Sequence, residues 1–345
     1  MAIPQSYKAF RRGTGTSPTT LESVTEEVPS LKPNDVLIRI HAVSLNYRDV
    51  VMMHGKYPLP VIDHGVPASD CAAGVVAIGP EVNGFAIRDR VAPIFNLKSL
   101  DGTEDESLLL GGDVDGVLRQ YAVFDQNLLF HLPNHLSWEE AACITCAGTT
   151  AWNAIGMPQS KRTALLQGTG GVSMFGLLLC LNAGIRPIIT SSSDQKLDLA
   201  KAVGGPDSVD TINYRTHPKW EEEVHRITNG RGVDVIIDNV GPTAIAQSLT
   251  SLAQRGTVSL VGFLGGYHVD RSPDTVMPVL AKNATMRGIY VGTKIDHQNL
   301  SGFLSEKKVN LKPVLDDKVF LFEDSQAAFD YLYSGKHVGK VVIKL

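Results

Sequence analysis

A glycine-rich turn between an apolar strand and an apolar helix is the feature that most constrains how this chain can fold. The turn covers residues 168–173 (Gly-Thr-Gly-Gly-Val-Ser) and follows the apolar segment Ala164–Gln167. Glycines allow a tight turn and a close backbone approach to a phosphate, and the helix that follows offers N–H donors and a positive dipole end. A second apolar strand, Pro187–Thr190, lies at the spacing of a βαβ unit. The sequence therefore predicts a pyrophosphate-binding corner.

The two halves of the chain differ in their hydrophobic patterns. The first half contains short predicted strands, such as Val36–Val43, in which apolar and polar residues alternate, and Gly74–Gly79. Turn-forming residues separate these strands, and this pattern indicates a small β-barrel-like domain. From Ser137 onward, apolar strands such as Val258–Val261 alternate with helical segments, as in a parallel sheet buried on both faces. We expect the last strand, Lys340–Leu345, to pack back on the first domain.

Composition excludes several classes of partner. The 345 residues include 32 Lys and Arg and 36 Asp and Glu, giving a formal net charge of −4 without a charged block. This balance argues against nucleic acid or an anionic membrane as the main partner, and no stretch reaches transmembrane length. The N-terminal residues lack an apolar signal core, and the four cysteines are too few for a disulfide framework. We expect a cytoplasmic protein that acts on a small molecule.

The residues after the second strand of the nucleotide-binding half indicate the cofactor. An Asp or Glu at this point binds the ribose of NAD, whereas neutral or basic groups suit the extra phosphate of NADP. Here the position falls nearest Ser191, and Lys196 is close in sequence. The pattern favours NADPH. Asp194 is the opposing observation, although an Asp there also suits the N-cap of a helix starting at Gln195.

The sequence also predicts roles for three further segments. The residues after the next two strands, Asn239 and the pair Gly262 and Phe263, are predicted to line the nicotinamide half of the site, although ordinary loop chemistry explains them equally well. The acidic, Gly-rich segment 98–116 is predicted to be a mobile surface loop, with a lid as the alternative.

With these motifs in place, the chain resembles the medium-chain dehydrogenases/reductases, which include zinc alcohol dehydrogenases and zinc-free quinone and enoyl reductases. The matching segments are Ser44–Asp49, Gly74–Gly79, Cys146–Trp152, Gly168–Ser173, Ile212–Tyr214, Asp238–Gly241 and Gly339–Ile343. The resemblance implies an α/β chain with a GroES-like β-barrel catalytic domain and a Rossmann doubly wound parallel sheet. We expect the first domain to cover residues 1–132, completed by 295–345, and the NADP-binding domain to cover 133–294.

The resemblance also places the catalytic zinc ligands of the metal-dependent members. Their positions correspond to Asn46, Asp70 and Cys146 in this chain. Catalytic zinc needs three good ligands and an open position, and an Asn is a poor ligand. The structural zinc loop is also missing, since residues 95–120 contain no Cys, and the Cys143–Cys146 pair lies in an apolar helical stretch. No metal is therefore expected.

In the metal-dependent members, zinc stabilises the negative charge that develops on the substrate oxygen. Without zinc, a hydrogen-bond or proton donor of the protein must stabilise that charge. The segment from Asn46 to Asp49, followed by Tyr57, resembles the zinc-free reductases, in which a tyrosine lies at the substrate. A phenol can donate a proton at neutral pH, so Tyr57 is the first candidate and Tyr47 the second, with packing as the alternative role for either. Asn46 is expected to hydrogen-bond the nicotinamide ribose or the substrate.

Together, these observations predict a zinc-independent NADPH-dependent oxidoreductase that transfers hydride to an activated C=C bond, a quinone or a carbonyl. The alternatives are a zinc-free alcohol dehydrogenase and a non-catalytic NADPH-binding or helper protein. The resemblance further implies a homodimer and adds Tyr214 and Lys340 to the cofactor site. The complete set of predicted cofactor-binding residues is Gly168, Gly170, Gly171, Val172, Ser191, Lys196, Tyr214, Asn239, Gly262, Phe263 and Lys340.

Overall fold

A computed structural model describes residues 3–16, 18–157, 162–205, 207–266 and 273–345. The chain divides into two compact units. The first consists of the residues up to Thr149 together with Gly292–Leu345, and the second is Thr150–Val291. Among the described residues, no helix is long and apolar enough to cross a membrane.

The second unit contains a six-stranded sheet in which every neighbouring pair of strands is parallel. Its strands are β8 (Thr163–Gln167), β9 (Arg186–Ser191), β10 (Asp210–Asn213), β11 (Val233–Asp238), β12 (Leu252–Leu260) and β13 (Thr285–Gly288). The spatial order β10-β9-β8-β11-β12-β13 reverses direction between β8 and β11. This is the Rossmann order, and ligands bind at the carboxyl ends of the strands beside such a reversal.

Helices connect these parallel strands and cover the sheet. They are α4 (Gly171–Ala183), α5 (Asp194–Gly204), α6 (Trp220–Ile227), α7 (Ile245–Ser251) and α8 (Val276–Lys282), and α3 (Thr149–Ile155) precedes β8. The strand residues facing them are fully buried, for example Leu165 and Ile236, which share one apolar cluster. The prediction of a doubly wound parallel sheet is confirmed.

The first unit is built around a seven-stranded sheet and a separate hairpin. The hairpin strands are β1 (Ser6–Arg12) and β2 (Leu21–Glu27), and the sheet strands are β3 (Asp35–Ser44), β4 (Asp70–Ile78), β5 (Arg90–Pro93), β6 (Tyr121–Asp125), β7 (Leu129–His131), β14 (Leu315–Leu321) and β15 (Lys340–Lys344). The C-terminal strand β15 pairs with β3 and β14, and the tail thus belongs to this unit.

The helices of the first unit are short except for one. They are α1 (Tyr47–Met53), α2 (Trp138–Ala141), α9 (Lys294–Lys307) and α10 (Ser325–Tyr333). The apolar helical stretch expected around Cys143 and Cys146 is not one continuous α-helix, because a π-helical turn, Ile144–Gly148, separates α2 from α3. Single π turns of this kind are frequent at functional sites.

Two predictions, the end of the first unit and the exposure of segment 98–116, differ from the structure. The first unit extends to Thr149, beyond the expected end at residue 132, because α2 packs on β3 and β4 of its sheet. The segment 98–116 is only partly a surface loop. Residues 101–103 are exposed, whereas Leu109 and Leu110 are buried, and Leu110 belongs to the apolar cluster of the first unit. The prediction of a mobile surface loop is therefore wrong for its second half.

Candidate functional site

The glycine corner, residues 168–173, connects β8 to α4 in the second unit. Gly168 has a φ of +81°, a conformation that strains any residue with a Cβ atom. A Cβ atom at Gly168 or at Gly170, the N-cap of α4, would meet no atom within 4 Å. Gly171 and Val172 form the first turn of α4 and are partly exposed. The corner thus leaves space before a helix N-terminus, as a pyrophosphate requires.

Hydrogen bonds at the ends of β8 and β11 fix the shape of this corner. The Asn239 amide donates to the Gln167 carbonyl (2.9 Å) and to Ser173 Oγ (3.0 Å), while Ser173 Oγ also donates to the Gln167 carbonyl. Asn239 was predicted to contact the cofactor, yet its amide donors tie two strand ends together. Ser173, at the position where the dinucleotide-binding motif G-x-G-x-x-G has its third glycine, also holds these strand ends together.

The glycines after β11 and β12 allow two loops to pack on each other. A Cβ atom at Gly262 would lie 2.9 Å from the Asn239 carbonyl, and one at Gly241 would lie 2.9 Å from the Gly262 carbonyl. These close approaches between loops explain both glycines without a contact to a nicotinamide ring. Phe263 follows β12 and is half-buried. The cofactor contacts of Gly262 and Phe263 stay predictions.

The carboxyl end of β9 carries the groups predicted to select the cofactor. Ser191 is 4% exposed, and its hydroxyl accepts a hydrogen bond from the Ser193 N–H (3.3 Å). The N-cap of α5 is Ser193, which corrects the interpretation of Asp194 as the cap. Asp194 instead begins the helix and accepts a hydrogen bond from the Asn213 amide (2.7 Å). Tyr214 is 42% exposed, and its N–H donates to the Ser191 carbonyl.

A buried polar cluster in the first unit is the second candidate site. It consists of Asn46, Asp70, Cys146 and Lys340, which we call the lysine cluster. The Lys340 ammonium, 4% exposed, donates to the Leu45 carbonyl (2.8 Å) and to Asn46 Oδ1, and it lies 3.6 Å from Asp70 Oδ2. The contact of Lys340 with the cofactor stays a prediction, and its ammonium contacts Asn46 and Asp70, two of the three residues at the zinc-ligand positions.

The π turn after α2 completes the lysine cluster. It directs the Cys146 N–H toward Asp70 Oδ2 (3.0 Å), while Ser69 Oγ donates to Asp70 Oδ1 (2.7 Å). Burial, and then the nearby Asp70 carboxylate, raise the pKa of the Cys146 thiol to about 12. Among the described residues, no group of three His, Cys, Asp or Glu side chains is arranged to hold a metal ion.

Asn46 and Asp49 are positioned at the start of α1. Asp49 Oδ2 accepts a hydrogen bond from the Asn46 N–H (2.8 Å), which leaves the Asn46 side chain directed at Lys340 and Ser69. Asp49 is fully buried, and desolvation raises its pKa despite the opposing charge of Arg48. A carboxylate buried in this way favours its protonated form.

Two arginines lie beside this cluster, and the sequence analysis missed both. Arg48 Nη1 donates to the Leu110 carbonyl (3.0 Å) and Arg12 Nη1 donates to the Gly111 carbonyl (2.8 Å). The buried half of segment 98–116 therefore holds both guanidinium groups. Desolvation lowers the pKa of Arg12 to about 10. The signal in the sequence was the apolar run 50–53 directly after Arg48 and Asp49, since a buried helix face carries these charges inward.

The two candidate tyrosines occupy different surroundings. Tyr57 is half-buried, its ring centroid is 5.6 Å from Arg48 Cζ, and it lines a cavity of about 430 Å³ together with Met52 and Arg12. Tyr47 is 45% exposed on the first turn of α1. The structure thus brings Tyr57, but not Tyr47, next to the buried charges.

Comparison with known proteins places the chain in a family. Residues 32–134 match the model of the alcohol dehydrogenase GroES-like domain, and residues 171–306 match that of the zinc-binding dehydrogenases. A zinc-type alcohol dehydrogenase-like protein of Schizosaccharomyces pombe is 38% identical over 92% of this chain and 93% of its own length. The chain is a medium-chain dehydrogenase/reductase.

Other members of this family support the same assignment. The crystal structure of a putative alcohol dehydrogenase from Sinorhizobium meliloti is 34% identical, covers both chains completely and superimposes with a TM-score of 0.90. A 2-methylene-furan-3-one reductase of Solanum lycopersicum is 29% identical over 99% of this chain and 80% of its own. The medium-chain dehydrogenases/reductases are pyridine-nucleotide-dependent oxidoreductases. These matches confirm the predicted family and the predicted GroES-like and Rossmann folds.

Proposed function

We propose that the protein is an NADPH-dependent reductase that works without zinc and transfers hydride to an activated C=C bond, a quinone or a carbonyl. The observation that carries this proposal is the position of Lys340 in the lysine cluster. Its ammonium donates to Asn46 and faces Asp70, two of the three residues at the zinc-ligand positions. The cluster therefore already contains its own cation.

The chemistry of the donor set supports the zinc-free part of the proposal. A zinc ion among these residues would lie beside the Lys340 charge and would compete with it for the oxygen atoms of Asn46 and Asp70. Because a neutral amide is a poor zinc ligand, and because Lys340 already binds that amide and faces the Asp70 carboxylate, these three positions do not fit zinc.

The glycine corner fits a dinucleotide. The N–H groups of Gly171 and Val172 begin α4 beside open space at Gly170, and we expect them to hold the pyrophosphate. When bound, the reduced cofactor supplies the hydride. The role of Asn239 in this account is to hold the corner in shape through Gln167 and Ser173.

The surroundings of Asp194 support NADPH over NADH. Its carboxylate accepts a hydrogen bond from Asn213 and lies at the start of α5, where the helix dipole stabilises a negative charge. Asp194 therefore has a structural role that does not require a ribose hydroxyl. Lys196 belongs to the first turn of α5, and the exposed Tyr214 directly follows β10. A basic group and a phenol suit a phosphate.

Tyr57 is the proposed proton donor of the first unit. It lines the cavity and lies over the Arg48 guanidinium, so its hydroxyl group has both a site for a substrate and a fixed charge beside it. The tomato relative is named for the reduction of an exocyclic enone, which supports an activated C=C bond as the substrate.

Location and assembly complete the proposal. All four cysteines are free thiols, and a reducing compartment such as the cytoplasm keeps them so. A homodimer is proposed from the family resemblance alone.

Thermal unfolding with NADPH, NADH or neither nucleotide tests the proposed cofactor. A ligand that binds only the native state raises Tm, and we expect NADPH to raise it more than NADH at equal concentration. NADPH oxidation is then followed with a quinone, an enone and an aldehyde. Turnover of none of the three, with NADPH bound, would favour a non-catalytic nucleotide-binding protein, and stronger stabilisation by NADH would reverse the cofactor assignment.

A further inference from the structure

Asp238, the last residue of β11, carries a carboxylate that is completely buried (0% exposed). Its Oδ1 accepts hydrogen bonds from the N–H groups of Val240 (3.0 Å) and Gly241 (2.8 Å), and its Oδ2 accepts one from Ser248 Oγ (2.7 Å). All three donors are neutral groups. Burying a carboxylate is costly, and such hydrogen bonds offset part of the cost. Because Asp238 lies at the carboxyl end of a strand beside the reversal of the sheet, this charge is a candidate for a role in nucleotide binding.

Ser248 connects this carboxylate to β8. It belongs to α7 and is fully buried, and its hydroxyl group accepts a hydrogen bond from Gln167 Nε2 (2.8 Å) while it donates to Asp238. A hydroxyl group has one hydrogen to donate, and a carboxylate can only accept. The hydrogen bonds therefore run in one direction, from Gln167 through Ser248 to Asp238. The carboxylate thus determines the orientation of both side chains.

Asp238 also joins the loops that follow β11 and β12. Its carbonyl accepts hydrogen bonds from the N–H groups of Val261 (2.8 Å) and Gly262 (3.2 Å), which directly follow β12. Its carboxylate holds the N–H of Gly241, where a Cβ atom would lie 2.9 Å from the Gly262 carbonyl. Since Gln167 ends β8, the groups that Asp238 binds directly or through Ser248 come from the ends of three neighbouring strands.

The glycine corner begins and ends at residues that these hydrogen bonds hold. Gln167 directly precedes Gly168, and its carbonyl accepts a hydrogen bond from Ser173 Oγ (2.8 Å), at the other end of the corner. The donors expected to bind the pyrophosphate are backbone N–H groups, so their positions depend on how the two ends of the corner are held. Donors that are already fixed in position bind a ligand more tightly, because less conformational entropy is lost on binding.

We propose that Asp238 is a positioning residue for the nucleotide. Through Ser248 and Gln167 it holds the glycine corner in the conformation that accepts the pyrophosphate, without itself touching the ligand. The inference rests on the proposed NADPH-dependent function and identifies the side chains that maintain its binding site. It predicts a loss of nucleotide affinity when the hydrogen bond between Asp238 and Ser248 is removed.

A pair of serines on α7 separates this role from a general effect on stability. Ser248 and Ser251 are both fully buried, but Ser251 Oγ donates to the Gln247 carbonyl of its own helix (2.9 Å). Ser248→Ala and Ser251→Ala therefore each remove one buried hydroxyl group. We expect the Kd for NADPH to rise roughly tenfold in Ser248→Ala and to stay unchanged in Ser251→Ala. Fluorescence titration of the purified full chain measures the Kd, and thermal unfolding verifies that both variants are folded.

Asp238→Asn tests the carboxylate itself. The new amide can still accept the two backbone N–H groups through its oxygen, but it presents an N–H group to Ser248 and cannot accept from it. We expect the Kd to rise roughly tenfold, as in Ser248→Ala. The double variant should show the same rise, rather than one of about 100-fold, because both changes remove one and the same hydrogen bond. Asp234→Asn, at the amino end of β11, is the control, since that carboxylate binds the Thr163 N–H (2.9 Å).

A comparison of NADPH with NADH locates the effect at the pyrophosphate. The two nucleotides share this group, so Ser248→Ala and Asp238→Asn should weaken the binding of both by the same factor. A loss confined to NADPH would overturn the inference, because it would place the effect at the additional phosphate. Unchanged affinity in the folded variants would also overturn it, as would equal losses in Ser248→Ala and Ser251→Ala or additive losses in the double variant.

The wild-type chain distinguishes failure of this inference from failure of the proposed function. If the wild-type chain binds neither nucleotide, the NADPH-dependent function is wrong. If it binds NADPH and the variants bind NADPH as tightly, the role of Asp238 is wrong and the proposed function stands.

Discussion

The glycine corner of the second unit is made of backbone, whereas the lysine cluster of the first unit is made of side chains. In the corner, Gly168 and Gly170 provide space, and helix N–H groups provide the donors. In the cluster, Lys340 binds residues that lie far away in the sequence, at Asn46 and Asp70. The donors of the corner come from one contiguous stretch of backbone, which Asn239 holds in shape, whereas the groups of the cluster are brought together by tertiary contacts.

This difference determines which amino-acid substitutions each site can accept. A site made of backbone accepts different side chains provided that its glycines and its helix start are kept, as Ser173 in the third glycine position illustrates. A site made of buried charges must keep its charges balanced, because each one depends on its partners. In this chain, the Lys340 ammonium balances the charge of Asp70 at positions that do not provide a good set of zinc ligands.

The largest expected effect concerns Lys340. Replacing it in Lys340→Met leaves the buried Asp70 carboxylate without its cation, and we expect the free energy of unfolding to fall by about 3–5 kcal/mol. Chemical denaturation measures the change. Lys344→Met, on the same strand but 59% exposed, is the matched control and should change stability by less than about 1 kcal/mol. Equal losses in the two variants would show that the lysine cluster is not a balanced unit.

A second prediction separates the two tyrosines. If Tyr57 donates the proton, Tyr57→Phe should lower kcat for NADPH oxidation by about 100-fold, the usual scale of general acid catalysis. Tyr47→Phe should leave kcat nearly unchanged, since that side chain is exposed. Steady-state kinetics with an accepted enone measures both. An unchanged kcat in Tyr57→Phe would move proton donation to water.

A third prediction tests whether the glycine corner acts through space alone. In Gly170→Ala, the new methyl group meets no protein atom, so stability should fall by less than about 1 kcal/mol, the scale of an N-cap change. The same methyl group enters the space assigned to the pyrophosphate, and the Kd for NADPH should rise on the order of tenfold. Fluorescence titration measures the Kd. Unchanged affinity would place the nucleotide elsewhere.

The smallest effect is a pH dependence in the first unit. His41 stacks on Trp138, and desolvation, followed by the charges of Arg39 and Arg90, lowers its pKa from 6.5 to about 4. A lowered pKa means that folding favours the neutral ring, so its contribution is present above pH 6.5 and is lost as the pH falls toward 4.

Because this ring is partly exposed, the loss should be only about 1 kcal/mol after solvent screening. Denaturation at pH 7 and pH 4.5 should show a smaller loss in His41→Gln than in the wild-type chain. His225→Gln, in the second unit, is the control. An identical pH dependence of the wild type and His41→Gln would remove His41 as the cause.

The glycine corner could be predicted from the sequence more completely than the lysine cluster. The corner could be predicted because its strand, glycines and helix are contiguous, and local hydrophobic periodicity located them. The doubly wound parallel sheet followed from the family resemblance. The N-cap of α5 was misplaced by one residue, from Ser193 to Asp194, because either residue type caps a helix well.

The lysine cluster could be predicted only in part. The resemblance identified Asn46, Asp70 and Cys146, but no spacing in the sequence indicates that Lys340 approaches them, since strand pairing between β15 and β3 brings them together. The buried half of segment 98–116 was missed for a related reason. Its apolar run, Leu108–Leu110, is surrounded by acidic residues and glycines, and nothing in the sequence indicates that the Leu110 and Gly111 carbonyl groups bind Arg48 and Arg12.

The most direct test of this account is the zinc content of the wild-type chain after incubation with zinc and removal of the unbound metal. The account predicts much less than one zinc per chain, with NADPH-dependent stabilisation unchanged by a chelator. One tightly held zinc per chain, with loss of that stabilisation or of activity on chelation, would contradict the claim that Lys340 provides the cation of this site.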